Sequence, residues 1–245
     1  MGIEGLTQFE LLHGFLGLIS IGVSIIIGLK ISSKYFKNKQ IELLTVGLMM
    51  IFVTSGWWGA TISFLLYVLF NMEISDKLYI FFSYGLIPIS FMFWIYSFSH
   101  LVYPISKWKI VSIFLVINII YEIFFIYFLF LDSNLIAIRI TRFDTETKAF
   151  LSLYILFVLL TTIITNFIFV RESMKLDSAK IRWRSRFIFL GVIIFIIGTT
   201  LDTIFPLSEV MLFITRFLLM FSAFLSYIGW TMPDRVARWL IKEEE

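Results

Sequence analysis

Residues 9–29 read FELLHGFLGLISIGVSIIIGL and are followed by Lys30, Lys34, Lys37 and Lys39. At about 1.5 Å of rise per residue, a helix of this length covers about 30 Å, the thickness of a bilayer's hydrocarbon core. Glu4 and Glu10 precede the apolar run. The charge order is therefore acidic then basic, the reverse of a secretory signal peptide, and the run reads as a retained span. Lipid offers the backbone no hydrogen-bond partners, so such a segment must be helical.

Six further apolar runs follow, at 43–70, 78–103, 110–131, 149–170, 187–205 and 210–232. The fold class expected is an all-α, polytopic membrane bundle of seven transmembrane helices over residues 1–232, with a short tail at 233–245. Composition agrees. Of 245 residues, 60% are hydrophobic, 29 are Phe and only 15% are charged, too few polar groups to cover a water-soluble domain.

Basic residues recur on alternate connections. Lys30 to Lys39, then Lys107 and Lys109, then Arg171, Lys175, Lys180, Arg182, Arg184 and Arg186, and finally Arg235, Arg238 and Lys242 fall on one side. By the positive-inside rule that side is cytoplasmic, so the N-terminus is expected outside and the C-terminus in the cytoplasm of a multi-pass cell-membrane protein. The run from Arg171 to Arg186 is expected to meet anionic lipid headgroups, and a separate cytoplasmic signalling partner or a second copy of the chain could use the same surface. Nothing points to nucleic acid.

Two spans carry signs of irregularity. GWWGA at 56–60 lies near the centre of an over-long run, which must tilt or break, and Pro88 predicts a kink in the third span. Between the fourth and fifth spans, Ile136, Ile138 and Ile140 alternate with Ala137, Arg139 and Thr141. That is the period of a half-buried strand, and the segment is either a short lid or an irregular interfacial loop.

Ionisable groups inside a span cost roughly 2.5–3.5 kcal/mol each, so they need a partner, a wet cavity or the interface. Glu10, His13, Asp202, Glu209 and Arg216 all fall in the outer third of spans one, six and seven. A ring closed in sequence order makes those spans neighbours. Asp202 and Arg216 are expected to pair, either locking the hairpin of the last two spans, whose turn is at Pro206, or forming one wall of an outward pocket. Three acids against one arginine favour a cationic or amine-bearing ligand. Glu122 lies mid-span beside Tyr121 and one turn after Asn118, and with Trp57 and Trp58 it could complete a central cavity. The candidate ligand-binding set is therefore Glu10, His13, Trp57, Trp58, Glu122, Asp202, Glu209 and Arg216.

Chemistry is sparse elsewhere. No cysteine is present, which removes disulfides, thiolate metal sites and cysteine nucleophiles. Two histidines at opposite faces do not make a metal site, and neither a metal nor another cofactor is expected. No nucleophile, base and stabiliser form a convincing set, so catalysis is not expected.

LDTIFP at 201–206 and GWTMPD at 229–234 flank the last hairpin. In these stretches the chain resembles the seven-helix sensor region at the N-terminus of prokaryotic, notably archaeal, membrane histidine kinases. The resemblance implies a receptor-like sensor. The departure is that this sequence reaches Glu245 without a kinase or other output domain, so it is expected to signal only through a partner. The rival expectation is a small transporter or channel subunit with Glu122, Asp202 and Arg216 along its path.

Overall fold

The computed structural model describes residues 5–205 and 208–241. Glu4, Lys242 and the predicted turn at Pro206 lie outside the described residues. Seven helices are long and apolar enough to cross a membrane: Gln8–Asn38, Ile41–Phe70, Asp76–Val102, Lys107–Leu131, Ala149–Met174, Ala179–Ile204 and Glu209–Thr231. The chain is a multi-pass membrane protein. Each helix begins or ends beyond its apolar run, because caps and polar residues prolong it past the hydrocarbon; Thr7 and Glu10, for example, form a capping box at the start of span one.

The bundle keeps many polar side chains inside, among apolar ones, and is apolar outside. Ser24, Ser90, Ser97, Asn118, Asn166, Ser222 and Arg216 are buried, while Ile113, Phe124, Phe130, Leu153, Phe167, Phe213 and Phe217 are exposed. In water that arrangement would forfeit the hydrophobic effect. In lipid it is the stable one, since tails solvate Phe and Ile, and polar groups must satisfy each other.

Span one packs on spans two and seven, span two on three, and six on seven; span three touches both four and five, and five touches six. A ring of six spans thus closes without the fourth, which sits outside it. The close approach of spans one and two depends on Gly28 and Gly47. A Cβ at Gly47 would lie 2.5 Å from the Gly28 carbonyl oxygen, and one at Gly28 would lie 2.6 Å from that of Gly47.

Both suspected irregularities are breaks. Span two consists of α1 (Ile41–Phe52) and α2 (Trp58–Phe70), joined by a tight 3₁₀ turn at Val53–Trp57. Span three consists of α3 (Asp76–Tyr84) and α4 (Ile87–Val102), interrupted at Gly85 and Leu86 just ahead of Pro88, which occupies the first turn of the second piece where its missing N–H costs nothing.

The segment between spans four and five is a two-stranded antiparallel hairpin of β1 (Ala137–Thr141) and β2 (Asp144–Thr147). Its facing differs from the alternation's simplest reading. Ala137 is buried, whereas Ile138 is 39% and Ile140 61% exposed. Arg139 decides the facing. Its guanidinium lies over the Tyr79 ring and donates to the Ile74 carbonyl at 2.9 Å, Asp76 at 3.0 Å, Ser63 Oγ at 3.2 Å and the Arg142 carbonyl at 2.7 Å. Burying one isoleucine face would have taken the guanidinium donor from all of those groups, and the charge prevails over the apolar pattern.

Candidate functional site

The two breaks and the hairpin surround a cavity of about 540 Å³, lined by spans one, two, three, five, six and seven and by the hairpin. The 3₁₀ turn brings Trp57 to the cavity wall, where its Nε1 donates to Asp202 Oδ2 at 2.7 Å. Asp202 Oδ1 accepts from Thr215 Oγ1 at 3.0 Å and from Arg216 Nη1 at 2.9 Å. The carboxylate is thus held by three donors from two other spans, span two and its own hairpin partner, span seven. Arg216 is 1% exposed and Asp202 13%. The Arg216 guanidinium also lies 5.5 Å from the Trp57 ring centroid, within cation–π range.

His13 completes this group. Its Nε2 lies 3.5 Å from Arg216 Nη2. Guanidinium can only donate, so the contact requires Nε2 to accept and the ring proton to sit on Nδ1. His13, Trp57, Asp202 and Arg216 are therefore brought together at the cavity wall.

The other four candidates are elsewhere. Glu10 turns back to its own helix start, where Oε2 accepts from Thr7 N at 2.9 Å. Glu209 is exposed in the first turn of span seven. Trp58 does not line the cavity and donates to Thr54 Oγ1, a lining residue, at 3.1 Å. Glu122 is half-buried on span four, which contributes nothing to the cavity lining among the described residues. Its neighbours Asn118 and Tyr121 do face inward: the Tyr154 hydroxyl donates to Asn118 Oδ1, and the Tyr121 and Tyr154 rings stack.

Cavity residues outside the sequence candidates include three polar ones from the hairpin and span five. Asp144 and Thr145 come from β2, with the Tyr84 hydroxyl 2.7 Å from Thr145 Oγ1. Asp144 Oδ1 accepts from Thr145 N at 2.8 Å, and among the described residues no cation pairs with it. Burial pushes the Asp144 carboxyl above the usual carboxylate range, and the nearby Asp202 charge adds to this. Thr145 and Thr147 alternating with Asp144 and Glu146 was the available signal for a second strand. The third residue is Asn166, fully buried in span five, which a search restricted to ionisable groups passes over.

No protein-family model matches the chain, and no curated protein matches it.

The basic end of the bundle is used partly for internal bonds. Arg184 donates from Nε to the Gly229 carbonyl at 3.0 Å and from Nη2 to the Trp230 carbonyl at 2.9 Å, stabilising the C-terminus of span seven where helix carbonyls lack partners. Lys175 pairs with Glu172, and Arg186 lies over the Trp183 ring. Arg171, Lys180 and Arg186 are exposed.

Proposed function

We propose that the protein is a receptor-like sensor of the cell membrane that binds a small molecule within the bundle and has no catalysis of its own. The observation that carries this reading is the cavity. Its volume of about 540 Å³ lies within the range of small-molecule sites, and its wall combines aromatic rings with a few placed polar groups. The distribution of Lys and Arg supports an orientation with the N-terminus and the hairpin outside, so that ligand reaches the cavity from the outer face. Exposed Arg171, Lys180 and Arg186 at the opposite end suit anionic headgroups or a separate signalling partner. This arrangement accords with the resemblance to kinase sensor regions.

Gly56 provides the test. It lines the cavity, and a Cβ built there meets nothing within 4 Å. Gly56→Phe should fold, occupy the cavity and abolish changes in tryptophan fluorescence on ligand addition, since Trp57, Trp94 and Trp230 line the same wall. A small-molecule screen in which wild type and Gly56→Phe respond alike would overturn the reading.

One observation favours transport as the second reading: both broken spans face the cavity, as in carriers whose interrupted helices hold substrate near mid-membrane. Substrate flux or ionic current in vesicles containing the purified protein would establish it over sensing.

A further inference from the structure

The cavity is long and is polar at two separate places. Arg216 and Trp230 both line it, and their separation of fourteen positions is a rise of about 21 Å along span seven. A volume of about 540 Å³ spread over that length is a slot for an elongated molecule.

At the hairpin end the charges do not balance. Asp202 and Arg216 neutralise each other at 2.9 Å, and Glu146 pairs with Lys148 at 2.8 Å. Asp144 remains as a cavity acid that forms no ion pair among the described residues, with Arg216 acting on it only from a distance. At the deep end, Asn166 is 0% exposed and lines the wall; its Nδ2 donates to the Thr162 carbonyl at 2.9 Å, while its Oδ1 has no hydrogen-bond partner. Exchanging the amide's O and N would set oxygen against that carbonyl, so the orphan atom is an acceptor. The adjacent indole donor is already used, Trp94 Nε1 bonding Thr165 Oγ1 at 2.8 Å. A buried acceptor left unmatched is costly, and a ligand's donor is a means of satisfying it. Between the two ends stand Phe195 and Phe91.

The geometry points to an elongated ligand with a cationic amine held by Asp144 at the hairpin end and a hydrogen-bond donor placed at Asn166 Oδ1 at the deep end. This inference rests on the ligand-binding reading above. It assigns Asp144 and Asn166 as the two specificity groups, with the apolar body of the ligand between the aromatic walls.

Four probes that share one chain separate these terms: aminododecanol with its amine and hydroxyl at opposite ends, dodecylamine, dodecanol and dodecanoate. They are titrated against the full chain in nonionic micelles, and only the tryptophan signal that Gly56→Phe removes is counted. The amines should bind at least about tenfold tighter than dodecanol, as a charge-assisted contact implies, and aminododecanol about two- to tenfold tighter than dodecylamine. Asp144→Asn should remove the first advantage and Asp144→Glu retain most of it; Asn166→Leu should remove only the second. Dodecanol or dodecanoate binding as tightly as the amines, or wild-type affinity in an Asp144→Asn protein that melts normally, overturns the inference and leaves the cavity's role as a ligand site intact. No Gly56→Phe-sensitive signal from any probe overturns both.

Discussion

Separating Asp202 from Arg216 is the perturbation whose size the structure defines best. Arg216→Met removes a cation that is 1% exposed and leaves Asp202, at 13%, with two neutral donors, Trp57 and Thr215. Breaking a buried pair from one side costs about 3–5 kcal/mol, and the two remaining bonds place this variant near the lower value. Asp202→Asn keeps an oxygen for one of those donors but strands Arg216. Its Nε already lacks a partner, and what remains is the His13 contact at 3.5 Å and the face of Trp57. That variant should lie towards the upper value. The double variant holds neither charge, so it should cost about 1–2 kcal/mol, well under the sum of the singles, giving a coupling of at least about 3 kcal/mol. Against a total stability of about 5–15 kcal/mol, each single change is readily measured by dodecyl sulfate titration in mixed micelles with circular dichroism as readout. Additive losses, with coupling under about 0.5 kcal/mol, would refute the claim that this pair locks spans six and seven.

Three further outcomes follow from other contacts. Arg139→Gln should loosen the hairpin, since five acceptors lose a guanidinium donor; faster amide exchange over residues 137–147, with unchanged exchange in span six, is the expected result. Gly47→Ala should destabilise by about 1–3 kcal/mol through overpacking against Gly28, whereas Gly22→Ala, with nothing within 4 Å of its Cβ, should change stability by under about 0.5 kcal/mol in the same titration. Asp144 predicts a pH dependence. Its folded carboxyl holds its proton above the usual range, so its contribution to stability is greatest at low pH and declines as pH rises from about 3.9 through the raised value. The groups around it, Asp202, Arg216, Tyr79 and Tyr84, are all present in Asp144→Asn, which should lack this part of the slope. Identical stability profiles for the two proteins between pH 4 and pH 7, a range of roughly three proton decades, would refute the assignment.

The chain by itself determined seven helices, because a run such as 9–29 has one stable form in lipid, a property local to each segment. It also determined that Asp202 and Arg216 should meet, since they flank one short turn and neither charge is stable alone in lipid. The broken centre of span two was legible for the same local reason, in Gly56 and Gly59 within an over-long run.

What tertiary structure decided were the contacts between distant segments. Glu10 had a closer use in capping its own helix than in reaching span seven, and helix position alone does not choose between them. Span four leaves the ring because span three packs on both four and five, which takes Glu122 away from the cavity. Asp144 enters the wall only when Arg139 docks the hairpin onto Ser63 of span two and Asp76 of span three, 76 and 63 residues earlier in the chain. Periodicity fixes which face of a segment is polar; which partner that face meets is settled by packing and by the competition of buried charges for donors.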